Sequence, residues 1–178
     1  MTGRVLIAGV GNIFLGDDGF GAEVARRLIG STLPAGIEVG DFGIRGIHLA
    51  YQLLDGYDAL ILVDAVQRGD APGTVSVIEP EDTGDGKAKG AMDGHDLDPV
   101  SVLNMLRNMG GSVGRTVVIG CEPAVISECM GLSPPVEQAV ALAASLALET
   151  ASAMAAELVG ASPAVGFSTV PDRKEEGT

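Results

Sequence analysis

Basic residues are scarce in this chain. Eleven lysines and arginines stand against 24 aspartates and glutamates over 178 residues, a formal net charge of −13. Such a surface repels nucleic acid and anionic lipid, and suits a cation or a basic protein partner. Cysteine is scarcer: Cys121 and Cys129 are the only two and form no CxxC pair, which leaves no basis for a disulfide scaffold or a structural zinc site. The apolar run at the N-terminus is short and broken by glycines, too short for a signal peptide or a membrane span. A cytoplasmic location with no membrane partner is therefore expected. No G-x-S-x-G elbow is present, which disfavours a serine hydrolase, and no internal repeat is found. What is abundant is apolar: 46% of residues, with 26 glycines. At this length, that composition predicts one compact α/β domain with a real core.

Apolar runs bounded by Gly, Pro and Asp predict strands near 4–9, 36–41, 59–64, 73–79 and 115–120, and helical spacing predicts helices near 18–30, 46–55, 98–109 and 134–159. The alternation implies a single-domain α/β fold: a mostly parallel, twisted five-stranded sheet with helices on both faces. The link from 65 to 72 is too short for a parallel crossover, so the strand at 73–79 is expected to be antiparallel. The stretch 80–97 is polar and glycine-rich, the kind of long loop that tends to be functional. The domain is expected to span 1–160, and 161–178, which lacks periodicity and mixes charges, to be a flexible tail. In the last helix Val136, Val140, Leu142, Ala143, Leu146, Ala147, Met154 and Leu158 are read as the apolar face.

The first strand runs into Gly9-Val10-Gly11-Asn12, which begins like a dinucleotide-binding turn. The third glycine that such a turn requires is missing: position 14 is Phe14. Asp17 and Asp18 then place negative charge where a phosphate would need a bare helix N-terminus. Ligands of parallel sheets bind beyond the carboxyl ends of the strands. Asp18, Asp41, Asp64, Cys121 and Glu122 all follow strands, and a backward-running fourth strand would return the 80–97 loop, with His95, to the same edge. Asp18, Asp64 and His95 make two carboxylates and one imidazole, a set suited to a borderline divalent cation with open positions. Such a metal could polarise a carbonyl and activate a water.

Plainer roles compete with this one. Asp17 or Asp18 would serve as an N-cap of the first helix. Asp64 could simply close a turn. His48 reads as a surface residue, and Cys121 as a small packing thiol rather than a nucleophile.

Taken together, Gly9-Val10-Gly11-Asn12, Gly16-Asp17-Asp18-Gly19-Phe20-Gly21, Val63-Asp64-Ala65, Ala71-Pro72-Gly73-Thr74, Gly94-His95-Asp96-Leu97 and Gly131-Leu132-Ser133-Pro134-Pro135-Val136 closely resemble, in this order, the blocks of the nickel–iron hydrogenase maturation endopeptidases. The resemblance covers about residues 4–158. It implies that Asp18, Asp64 and His95 bind nickel and carry the activity, and that the partner is a hydrogenase large-subunit precursor whose C-terminal extension is cut off after nickel insertion. It also implies that the nickel is supplied by that substrate, with no stored cofactor. The segment Asp41-Phe42-Gly43-Ile44-Arg45-Gly46 departs from the family's Asp-Gly-Gly-Thr pattern, which points to a different large-subunit surface. Two other readings stay open: a non-enzymatic nickel-sensing maturation chaperone, and a nucleotide-binding α/β domain.

Overall fold

A computed structural model describes residues 3–80 and 99–160. Five strands, β1 (Val5–Val10), β2 (Ile37–Gly43), β3 (Ala59–Ala65), β4 (Val75–Ile78) and β5 (Arg115–Cys121), form one sheet in the order β2-β1-β3-β5-β4. All pairings are parallel except β4 with β5, where Val75 lies opposite Cys121 and Ile78 opposite Val118. The antiparallel fourth strand expected from its short connection is thus present. The helices are α1 (Phe20–Ile29), α2 (Gly46–Leu53), α3 (Pro99–Asn108) and α4 (Pro134–Gly160). The expected long loop with His95, and the tail beyond 160, lie outside the described residues.

Alternation along the parallel strands divides the core in two. Val5, Ile7, Ile61, Val63, Val117 and Ile119 pack with the inner faces of α1 and α4. Leu6, Ala8, Leu60, Leu62 and Val118 pack with Leu49, Ala50 and Leu53 of α2 and with Val102 and Leu106 of α3. In α1, Phe20, Val24 and Leu28 recur at four-residue spacing and are buried, while Arg26 pairs with Glu23 on the outer side at 2.9 Å.

α1 lies so close to the sheet that only glycine fits at the crossing. A Cβ on Gly21 would stand 2.1 Å from the Val63 carbonyl oxygen and 2.3 Å from that of Val10, and one on Gly9 would stand 2.2 Å from the Gly21 carbonyl oxygen. The close helix–strand packing that a dinucleotide fold obtains from its third glycine is supplied here by Gly21, beyond an inserted acidic turn.

The expected face of α4 holds at Val136, Val140, Ala143, Leu146, Ala147 and Met154, which are buried or pack against the core, and fails at Leu142 and Leu158. The buried stripe is Val136, Ala139, Ala143, Ala144, Ala147, Ala151 and Met154, whereas Leu142 is 61% exposed and Leu158 is 38% exposed. Alanine lets a 27-residue helix settle closely against β1, β3 and α1, and Leu142 falls off the stripe that the four-residue alanine spacing defines. The helix is long and apolar enough by composition to cross a membrane, but its alanine face is part of the sheet's core.

Candidate active site

The carboxyl edge of the sheet is built from the segments that follow β1, β3 and β5. After β1 the backbone turns at Gly11, with φ at +126°, and its N–H donates to Gly43 O at 2.9 Å. A side chain here would be strained, and its Cβ would stand 1.9 Å from Asp18 O and 3.5 Å from Asp64 Oδ1. Gly11 therefore allows the chain to pass directly beside both carboxylate-bearing residues.

Asp18 sits in a single 3₁₀ turn, Gly16–Gly19, that leads into α1. Its Oδ2 accepts the Asn12 N–H at 2.8 Å, and Asn12 Oδ1 in turn accepts the Phe14 N–H at 3.0 Å. Asp64 is the penultimate residue of β3, with Oδ1 accepting the Ala65 N–H at 2.8 Å. Its carboxyl is held well above the usual carboxylate range, first by desolvation and then by the negative charge of neighbouring Asp18; the Ala65 bond opposes both. Two like charges crowded at a desolvated strand end favour a cation beside them or a proton on one of them.

Asp17 has a different part. It is fully buried. Its Oδ2 accepts the N–H groups of Ala124 and Val125, each at 2.8 Å, and the Ser133 hydroxyl at 2.8 Å, while Oδ1 accepts the Ser133 N–H at 2.6 Å. Desolvation pushes this carboxyl up, but the hydrogen bonds outweigh it and hold the group below its ordinary value. Backbone bonds reinforce the junction: Gly16 N–H to Cys129 O at 2.8 Å, Asp17 N–H to Val125 O at 2.9 Å and Cys129 N–H to Phe14 O at 3.1 Å. Asp17 is thus a clamp between the acidic turn and the segment 124–133. Neither aspartate caps α1, whose N-cap is Gly19 with no side-chain bond.

Replacing Asp17 by alanine strands three backbone donors, at about 1–3 kcal/mol per buried unmet group. The expected result is a melting temperature lower by at least about 6 °C, since three such groups cost about 3 kcal/mol or more and a domain of this size loses about 2–4 °C per kcal/mol. A thermal scan that leaves it unchanged would remove the clamp from the account.

The other edge residues turn away from the pair. Asp41 Oδ1 accepts the Gly43 N–H at 3.1 Å and Oδ2 lies 3.8 Å from Arg26 Nε. Glu122 accepts the Arg68 N–H at 2.7 Å and the Gly69 N–H at 3.3 Å, which orders the turn between β3 and β4. Cys121 is fully buried, and burial, with smaller contributions from Asp17 and Glu122, pushes its thiol up to about 11. That suits a packing role and not a thiolate nucleophile. His48 is exposed, as expected. Among the described residues Asp18 and Asp64 are the edge carboxylates that meet, and no cluster of three metal-ligating side chains is found there; His95 lies outside the described residues. Sequence reasoning missed the clamp at Asp17 and the packing glycine at Gly21. The GDDGFG run was the signal for both, but nothing local assigns their partners.

The sequence profile of the hydrogenase maturation proteases matches residues 22–150, a span that contains Asp64 and His95 and begins just after the Asp18-bearing turn. A relative from Methanocaldococcus jannaschii is 35% identical over 146 residues, 82% of this chain and 92% of that one. The hydrogenase 2 maturation protease of Escherichia coli is 32% identical over 136 residues, 75% of this chain and 82% of its own. Among solved structures, a hydrogenase maturating endopeptidase from Escherichia coli superposes with a TM-score of 0.72 at 29% identity, covering 85% of this chain and 93% of that one. A nickel–iron hydrogenase maturation protease from Thermococcus kodakarensis gives 0.70 at 25% identity, with 85% and 94% covered.

Proposed function

This chain belongs to the hydrogenase maturation protease family, and we propose that it is the endopeptidase that removes the C-terminal extension of a nickel-loaded nickel–iron hydrogenase large-subunit precursor. The observation that carries the reading is the crowded Asp18–Asp64 pair at the sheet's carboxyl edge, with the nearby thiol buried and protonated. Among the described residues such a site offers no activated thiol, and it gains from a cation. In this reading the cation is the substrate's nickel, met by Asp18, Asp64 and His95, and the enzyme stores none. The metal would supply polarisation of the scissile carbonyl and an activated water.

The chain's own groups do the rest. The Asn12 N–H fixes Asp18 through Oδ2, and the Ala65 N–H fixes Asp64 through Oδ1. An approaching cation would offset the charge of Asp18 and the desolvation that together raise the affinity of Asp64 for a proton, and so favour its carboxylate form as the substrate seats. Hydrolysis adds the water oxygen to the carbonyl carbon, breaks the C–N bond and delivers a proton to the departing amine, and a carboxylate held above its usual range by burial and by Asp18 suits that proton traffic. The acidic surface argues against nucleic acid as a partner, and a cytoplasmic site of action belongs to the same reading.

Intact-mass measurement of the precursor after incubation with the protein tests this. The nickel-loaded precursor should shorten to one product, and the nickel-free precursor should stay whole. Equal cutting of both would refute the nickel requirement. A precursor that binds but is never cut would favour the non-enzymatic chaperone.

A further inference from the structure

We propose that Phe14, Val125, Ile126 and Met130 form the surface on which the body of the large-subunit precursor docks, an inference that rests on the endopeptidase reading above. These side chains are 61%, 44%, 43% and 70% exposed, yet they stand on two segments joined by backbone hydrogen bonds. Cys129 N–H donates to Phe14 O, Gly16 N–H to Cys129 O and Asp17 N–H to Val125 O. Four large apolar side chains on adjoining segments mark a partner surface, where scattered single ones would not. Beside Met130 a pocket of about 490 Å3 opens between α1 and α4, lined by Ile13, Leu132 and Val140 and also by Arg27 and Glu137. The pocket is of mixed character, with Glu23 and Arg26 also on its wall, and a flexible methionine at the rim of such a pocket fits an apolar anchor surrounded by polar contacts.

The surface is continuous with the carboxylate pair. Phe14 N–H is held by Asn12 Oδ1, and Asn12 N–H holds Asp18 Oδ2, so two hydrogen bonds separate the apolar patch from the site. The turn that carries Phe14 is thus the turn that carries Asp18, and a partner seated on the first lies beside the second. The Asp17 clamp fixes both segments before binding, which removes the ordering cost that loose loops would add. A second copy of this chain is disfavoured as the occupant, because each copy carries a formal charge of −13 and would repel the other.

The test compares Phe14→Asp and Met130→Asp with Leu142→Asp, a control at an equally exposed apolar position on α4. Cleavage of the nickel-loaded precursor and its co-elution with the protease are measured, with melting curves for each protein and Met130→Gln as a milder second variant. The expected result is a KM raised about tenfold or more by the patch substitutions, severalfold by Met130→Gln, with kcat at saturating precursor within twofold and the control unchanged. Wild-type kinetics in Met130→Asp and Met130→Gln would overturn the docking surface while leaving the protease reading intact. Patch-dependent co-elution without any cleavage by wild type would do the reverse. Sedimentation showing a wild-type dimer that Met130→Asp dissolves would assign the surface to a second copy and overturn the proposal.

Discussion

Asp64→Asn is expected to leave the nickel-loaded precursor uncut, at a rate at least about 100-fold below wild type, the lower end of what a positioned proton-transfer group contributes. The same variant should melt above the wild type at pH 8. Asp64 sits at a desolvated strand end beside Asp18, and both influences raise its pKa in the folded protein. An acid that binds its proton more tightly when folded makes the fold less stable as pH rises from its unfolded value through its folded one. Asparagine carries no such loss, so its advantage should be complete above the folded value and close towards about pH 4, where the unfolded aspartate is also protonated. Inactivity with greater stability is the signature of a group kept for function at a cost to folding. Retained cleavage would dismiss Asp64 from the chemistry, and a lowered melting temperature at pH 8 would show that its bond to the Ala65 N–H outweighs the burial.

Gly21→Ala should be as damaging to the fold as Asp64→Asn is to activity. The added methyl would stand 2.1 Å from Val63 O and 2.3 Å from Val10 O. Both obstacles are backbone atoms in the centre of the sheet, so no rotamer change relieves them. α1 must lift away, loosening Phe20, Val24 and Leu28 from the core. Overpacking of this kind costs upwards of about 3 kcal/mol, which corresponds to a fall on the order of 10 °C in melting temperature, or to insoluble protein. Gly30→Ala is the control. There the nearest atom to a new Cβ is 3.7 Å away, φ is −77°, and the melting temperature should hold or rise slightly. A Gly21→Ala protein that melts like the control would mean that α1 does not lie as close to β1 and β3 as described.

Much of the framework was legible because its signals are local. Apolar alternation and glycine–proline punctuation located each strand and helix to within a few residues, and the brevity of the chain between Ala65 and Val75 disclosed that β4 runs backwards. The position of Asp64 was legible because it ends an unbroken apolar strand at the carboxyl edge of a parallel sheet. The rest depended on partners distant in sequence. Asp41 and Glu122 looked equivalent to Asp64, but Arg26 and the Gly43 N–H engage the first, and the Arg68 and Gly69 N–H groups engage the second. Asp17 and Asp18 are adjacent and chemically identical, and yet one faces inward to Ser133 while the other meets Asn12. No pattern in the sequence separates two such neighbours. In α4, hydropathy favours Leu142 over Ala139, whereas the close approach to the sheet selects the alanine.

The Asp17 clamp also has a bearing on the order in which the molecule assembles. Its acceptor and donors are separated by 107 to 116 residues, among the longest chain closures described in the fold. Contacts of such span form late, because their loop entropy must be met before they return anything. β1, β3 and β5 must already be paired to bring Ala124 and Ser133 to the acidic turn. The acidic turn is then locked in place only after the scaffold. Loss of the clamp accordingly belongs to the unfolding limb of a chevron: Asp17→Ala should hasten unfolding and leave the refolding rate nearly untouched.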